Sequence, residues 1–248
     1  MGREMTDAWE LYLDAKGQGG NATIPAPQLC IVLITYRRTD MAVRTINGIA
    51  EKLDYPKELL SFYVADDGSP QEHMQAIFKA ISDSGIKLAG YHNEKMQPGC
   101  LCGIGWNAAI RKAHQVSDYI MLLEDDWVLK NTLDIRPYIW ALKENEMVGI
   151  IRLSNLTTDN VLQVTTHHGT HYLQYLRQAR FCYSGNPHIR HIRFTQYYGF
   201  FDTDKSPGDI EVYYDGKFRY MKGGPEIWRP ADLPAWGPFS HIGDVRTW

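Results

Sequence analysis

Long apolar runs are missing from this 248-residue chain: no uninterrupted stretch approaches the roughly 18 residues that a membrane-spanning helix needs. Residues 1–20 are also too polar for a secretory leader. A soluble, cytoplasmic protein without a transmembrane segment is therefore expected. A strong excess of either charge is missing too. The net charge of −3 and a pI near 6.3 leave no electrostatic footprint for nucleic acid. Cysteine is scarce: Cys30, Cys100, Cys102 and Cys182 lack the paired spacing of a zinc ribbon, and Cys30 sits inside an apolar run, so reduced thiols are expected. No Gly-Lys-Ser/Thr loop is present, and the glycines of Gly99–Gly105 stand without that lysine. What is there, 44% hydrophobic residues in a chain of this length, suffices for one sizeable core or a core with a small subdomain.

The apolar pattern alternates between strand and helix. An opening helix over residues 6–16 and a Gly- and Pro-rich linker to residue 28 precede a strand over Leu29–Tyr36. Asp40 then caps a helix with Val43, Ile46, Ile49, Ala50 and Leu53 at helical spacing. A second strand, Leu60–Ala65, leads to Ser69 and Glu72, spaced as a capping box with Pro70 at the first helical position. Met74, Ile77, Phe78 and Ile81 line one face of that helix, and Gly85 stops it. Further strands are expected at Ile86–His92, Asp118–Leu123 and Met147–Leu153, with helices from about Gly105 to His114 and from a cap near Asn131. Such alternation predicts an α/β fold with a mostly parallel central sheet flanked by helices. After Ser154 the pattern weakens, and a smaller loop-rich part with a hairpin near residues 161–176 is expected.

Chemistry concentrates where strands end. The apolar run Tyr119–Leu123 closes in Glu124, Asp125 and Asp126. Carboxylates half-buried at such an edge are costly unless paired or coordinated, and oxygen ligands suit Mg²⁺ or Mn²⁺. Leu60–Ala65 likewise runs into Asp66 and Asp67, at the carboxyl edge where open α/β sheets bind ligands. Asp67 is suited to accept a hydrogen bond from a base N–H, Tyr36 offers a ring beside it, and Arg37 and Arg38 follow within reach of a phosphate.

Four segments together carry a family resemblance: Thr35-Tyr36-Arg37, Asp66-Asp67-Gly68-Ser69, Gly103-Ile104-Gly105-Trp106-Asn107 and Glu124-Asp125-Asp126. In this order and approximate spacing across residues 29–153, the chain resembles family 2 glycosyltransferases of GT-A fold. The resemblance implies a nucleoside diphosphate sugar donor, a UDP-sugar first, contacted by Thr35, Tyr36, Arg37, Asp66, Asp67, Gly103, Asn107, Glu124 and Asp125. Glu-Asp-Asp stands here where the commonest pattern is Asp-x-Asp, and the family implies that its last acid, Asp126, holds Mn²⁺ or Mg²⁺. A C-terminal histidine completes that shell in many such enzymes, which points to His241. An inverting transfer needs a base for the acceptor hydroxyl, and Asp209 is placed first and Glu211 second, with Ile210 interrupting the family's adjacent acidic pair. The implied organisation is an N-terminal helix and linker (1–28), a nucleotide-sugar half (29–153) and an acceptor and base half of the same domain (154–248). The acceptor, whether glycan, protein or small molecule, is not indicated. The competing readings are a sugar-phosphate nucleotidyltransferase and a non-catalytic nucleotide-sugar-binding protein.

Two further clusters stand outside this scheme. His167, His168, His171, His188 and His191 have spacings that zinc accepts, yet no carboxylate or cysteine accompanies them in local register, and a turn at Gly169 is expected to split the first group. Arg177, Arg180, Arg190 and Arg193 make the same region basic, as a solvated face or one that meets an anion.

Overall fold

A computed structural model describes residues 26–93, 102–154, 162–185 and 187–243. The expected opening helix, most of the linker, the Gly99–Leu101 loop and residues 244–248 lie outside the described residues. In chain order the first elements are β1 (Leu29–Thr35), α1 (Thr39–Lys52), β2 (Leu53–Asp54), a short 3₁₀ turn, β3 (Leu60–Asp66), α2 (Gln71–Ser84), β4 (Lys87–Asn93), α3 (Cys102–Ala113) and β5 (Tyr119–Glu124). There follow β6 (Trp127–Leu129), β7 (Leu133–Asp134), α4 (Arg136–Glu144), β8 (Val148–Arg152), β9 (Leu162–His167) and β10 (Thr170–Tyr175). The last are β11 (His188–His191), α5 (Ile192–Tyr198), α6 (Pro207–Tyr220), β12 (Glu226–Pro230) and β13 (Phe239–His241).

Nine strands form one sheet in the order β4-β3-β1-β5-β11-β8-β12-β10-β9. The run β4-β3-β1-β5 is parallel, as is the β8–β12 pair, and strands from the C-terminal half make the antiparallel pairings. Alternation along β1 explains the layers. Leu29, Ile31 and Leu33 face Ile46 and Ile49 of α1, Ile77 and Ile81 of α2 and Ile139 and Leu142 of α4. Cys30 and Val32 face the other way, toward Trp106, Ala109 and Ile110 of α3 and a ring cluster built on Tyr183, Phe194, Phe201 and Tyr214. A strand buried on both faces has no polar side to present, which is why the run reads as continuous Leu, Ile and Val. Burial also pushes the thiols of Cys30 and Cys182 up, to about 11 and about 12, and both cysteines are free.

Local expectations fail where tertiary contacts intervene. The helix expected near Asn131 starts at Arg136, because β6 and β7 pair with β13 and β2 first, and Asp134 Oδ1 takes the Arg136 N–H at 3.0 Å. The Ser69/Glu72 capping box does not form. Ser69 Oγ instead accepts the Arg37 N–H at 2.8 Å, and the Ser69 N–H donates to Asp66 Oδ2 at 2.7 Å. Beyond Ser154 the chain is more regular than expected: β9 to β12 all join the main sheet, with β11 inserted between β5 and β8. The basic stretch is not a solvated face either. Arg190 is fully buried with ring centroids of Tyr183, Phe194, Phe201 and Tyr214 at 5.1 to 5.6 Å. Arg177 donates to the carbonyls of Phe218 and Met221, and Arg193 to those of Asn145 and Val148. Arg180 alone of the four is exposed.

Helix α6 orders the loop that faces the sheet's carboxyl edge. Asp215, buried one turn after Glu211, accepts the backbone N–H groups of Phe181, Cys182 and Tyr183 at 3.2, 2.7 and 3.2 Å. Asp215→Ala leaves the buried N–H groups of Cys182 and Tyr183 and the part-buried one of Phe181 without this partner and is expected to lower stability by about 3 kcal/mol. Urea denaturation checks this, and an unchanged midpoint contradicts it.

Candidate active site

The site is built at the carboxyl ends of β1, β3 and β5. The β1–β5 ladder continues past its last pair, with the Asp125 N–H donating to Ile34 O at 2.9 Å, and Thr45 of α1 donates to the Asp125 carbonyl at 2.8 Å. The Asp125 side chain is thereby held fully buried. Its Oδ2 accepts from Thr35 Oγ1 at 2.8 Å and from the Tyr36 N–H at 3.2 Å, and its Oδ1 pairs with the Arg38 guanidinium. The same guanidinium reaches Asp126 Oδ2 at 2.5 Å, so one arginine bridges two adjacent carboxylates. Sequence reading placed Arg38 near phosphate and missed this bridging role.

His73, which the sequence reading passed over, ties β1 to β3. Its Nε2 lies 3.0 Å from Thr35 Oγ1 and 3.4 Å from Asp66 Oδ1, and its Nδ1 lies 2.8 Å from Thr39 Oγ1. Thr35 donates its proton to Asp125, so its oxygen accepts from His73 Nε2–H, which leaves Nδ1 to accept from Thr39. A neutral imidazole satisfies all of these contacts, and burial lowers the His73 pKa against the opposing pull of Asp66. The available signal was position: His73 stands four residues before Ile77, on the apolar face of α2.

Asp126 is brought to His241 by a small second ladder. Strands β6 and β13 pair antiparallel with His241 opposite Trp127, and the Ile242 N–H donates to the Asp126 carbonyl at 2.8 Å. His241 Nε2 then lies 3.3 Å from Asp126 Oδ2, with its side chain half exposed. A Cβ at Gly243 would meet Asp126 Oδ2 at 2.6 Å, so the backbone must pass close over the carboxylate. The buried Asp126 Oδ1 has no hydrogen-bond partner. One carboxylate with an unsatisfied oxygen beside a half-exposed imidazole fits Mn²⁺ or Mg²⁺, ions that take few protein ligands and draw the rest from water or phosphate.

A crevice opens beside these groups, lined by Thr35, Tyr36, Arg38, Asp66, Asp67 and Glu124 together with Trp106 of α3. Thr35 and Asp66 reach it from buried positions, whereas Tyr36 and Asp67 are half-buried. Arg37 is exposed, adopts φ +55° and lies over the Tyr36 ring at 5.0 Å. Two expected donor contacts serve packing. Asn107 is buried, and its amide donates to Phe201 O and accepts the Phe201 N–H, both at 2.9 Å. Gly103 packs directly under the Asp202 carbonyl, where a Cβ has no room.

The two expected bases differ in setting. Asp209 is exposed in the first turn of α6, where Ser206 Oγ accepts its N–H at 3.3 Å and donates to its Oδ2 at 2.6 Å. That is a capping pair. Glu211 is half-buried; its Oε1 accepts from the Gly185 N–H and from Ser184 Oγ at 3.2 Å. A Cβ at Gly185 would touch both Glu211 Oε1 at 3.1 Å and the Trp106 ring at 3.4 Å, which sets Glu211 close to this part of the crevice lining. Glu124 feels it there: burial, then the charges of Asp126, Glu211 and Asp125, push the Glu124 carboxyl up to about 8, against the pull of Arg38. Burial also raises Asp125 to about 6, offset by Arg38 and Thr35.

The Glu124 shift has a signed consequence. The folded metal-free protein holds a proton that the unfolded chain releases near its ordinary carboxylate pKa of about 4.5, so stability falls as pH rises from there to about 8. In chelator, the wild-type thermal midpoint is expected to drop across this window and the Glu124→Gln midpoint to drop less. Equal slopes contradict the assignment.

The sequence matches Glycosyl transferase family 2 over residues 30–202, well over half of the chain. That match stops short of α6, so Asp209 and Glu211 lie outside it. No curated protein matches. Among solved structures, the chain is similar to the mannosyltransferase PcManGT from Pyrobaculum calidifontis in complex with GDP-Man and Mn²⁺, at 16% identity and a TM-score of 0.57, covering 92% of this chain and 64% of that one. It is similar to S. aureus TarS at 13% identity and a TM-score of 0.59, covering 82% and 36%. For residues 1–349 of TarS in complex with UDP-GlcNAc the values are 14% and 0.54, covering 89% and 62%. The chain thus spans less than two thirds of each of these structures, and the likeness speaks to the fold. With the family match and the sheet in agreement, the chain belongs to glycosyl transferase family 2 and has the GT-A fold.

Proposed function

We propose that the protein transfers a sugar from a nucleoside diphosphate sugar to an acceptor hydroxyl by in-line, inverting displacement, with Mn²⁺ or Mg²⁺. The carrying observation is convergence: Thr35 and Arg38, Asp66 and Asp67, and Glu124, from three strand ends, line one crevice, and Arg38 ties it to Asp125 and to the Asp126–His241 pair. Asp126 and His241 would hold the cation, whose chemistry is to neutralise the charge that gathers on the departing diphosphate. Asp67 accepts from the base and the Tyr36 ring packs beside it, while the buried Asp125 carboxylate acts through Thr35 and Arg38, which it holds at the crevice. A UDP-sugar is the first donor to test and a GDP-sugar the second, since neighbours carry both kinds of ligand.

Glu211, rather than Asp209, takes the role of base in this reading. Its carboxylate is oriented by Gly185 and Ser184 close to Trp106 and Glu124 of the crevice lining, whereas that of Asp209 is committed to the start of its own helix. The residue types suited the family's acidic pair in either order; only burial and direction separate them.

Asp126→Ala is expected to abolish Mn²⁺-dependent binding of UDP in calorimetry, and retention of that dependence would overturn the metal assignment. Glu211→Gln is expected to lower kcat by about 10²- to 10⁴-fold with donor binding unchanged. Asp209→Asn is expected to keep kcat; the opposite pattern returns the base to Asp209. Release of nucleoside diphosphate accompanies the proposed transfer, and pyrophosphate release marks a nucleotidyltransferase instead.

A further inference from the structure

Away from the crevice, at the end of the sheet opposite β4, three side chains of ligand type meet. Glu144 ends α4, His167 ends β9, and His168 lies in the turn to β10. His168 at φ +45° and Gly169 at φ +73° form a two-residue hairpin turn with left-handed backbone at both central positions. The turn splits the first group as the sequence suggested, leaving His171 on β10 opposite Thr166, but it keeps His167 and His168 together with their rings 4.3 Å apart. The carboxylate absent from the local register arrives from α4. His167 Nε2 lies 3.4 Å from Glu144 Oε2, His168 Nε2 contacts the same oxygen, and one ligand atom from each residue lies within 4.8 Å of the others. Glu144 Oε1 is buried without a hydrogen-bond partner. The remaining histidines are engaged elsewhere: His171 with Thr166, His188 against Tyr183, and His191 as the cap of α5.

We propose that Glu144, His167 and His168 bind a divalent cation of the Zn²⁺ class, which clips the β9–β10 hairpin to α4. Two imidazoles with one carboxylate form a zinc donor set, whereas Mg²⁺ prefers oxygen throughout. Three protein ligands leave the fourth tetrahedral position to water or to a group from outside.

The test uses the whole chain, stripped with chelator and titrated with Zn²⁺ alone against a chromogenic competitor. Wild type is expected to bind one more equivalent than a His167→Asn/His168→Asn double variant, and that equivalent should persist in Asp126→Ala, which separates it from the crevice. Changes outside the ligand sphere already cost about 10- to 100-fold in metal affinity, so Glu144→Gln is expected to lose more than about 100-fold. Glu144→Gln keeps the side chain's shape and carries the test if the double variant misfolds. Equal Zn²⁺ stoichiometry and affinity in wild type and Glu144→Gln, the result expected of a plain hydrogen-bonded ion pair, overturns the proposal.

Discussion

Everything at the carboxyl edge depends on how one buried carboxylate, that of Asp125, is satisfied. A carboxylate removed from water costs several kcal/mol unless hydrogen bonds and a counter-charge replace the solvent. Here the replacements are the Thr35 hydroxyl, the Tyr36 N–H and the Arg38 guanidinium, all from β1 or the residues just after it. Compensating Asp125 therefore fixes the end of β1 against the end of β5. Because Arg38 also reaches Asp126, and Thr35 also meets His73, the same few atoms set the positions of α2, of Asp66 and of the Asp126–His241 pair.

The C-terminal half completes this edge by a different means. It contributes strands to the far side of the sheet and sends α6 back toward the α3 face, where Glu211 and Asp215, one turn apart, accept backbone N–H groups of residues 181–185. One acid orders the loop while the other lies close to Trp106 and Glu124 of the crevice lining. Arginines support the irregular backbone here: Arg152 and Arg229 donate to the buried carbonyls of Cys182 and Ser154, and Arg177 and Arg193 to the part-buried carbonyls of Phe218 and Asn145.

The strand ends were legible because their signal is local. Leu29–Thr35, Leu60–Asp66 and Tyr119–Glu124 are apolar runs that meet acids or a threonine, a pattern that burial on two faces imposes. Thr35, Tyr36, Asp66, Asp67 and Glu124 accordingly gather at one crevice. The rest was hidden wherever the deciding partner was remote in sequence. Ser69-x-x-Glu72 and Ser206-x-x-Asp209 share one capping spacing, yet the first serine is captured by Arg37 while the second caps its helix. For that reason Asp209 reads as chemistry although its side chain joins a helix cap, and Ser69 reads as a helix cap although its side chain holds the backbone of Arg37. Asn107 and Gly103 stand in a donor-like motif but serve the Phe201–Asp202 backbone, and the carboxylate beside His167 and His168 comes from another element.

The central claim is that Asp126 and His241 together define where a cation sits beneath the donor. Anomalous scattering from crystals grown with Mn²⁺ and UDP tests it most directly. A single manganese peak within coordination distance of an Asp126 carboxylate oxygen and His241 Nε2, touching the diphosphate, is the predicted result. Nucleotide bound in the crevice with manganese elsewhere, or with none, would contradict the account.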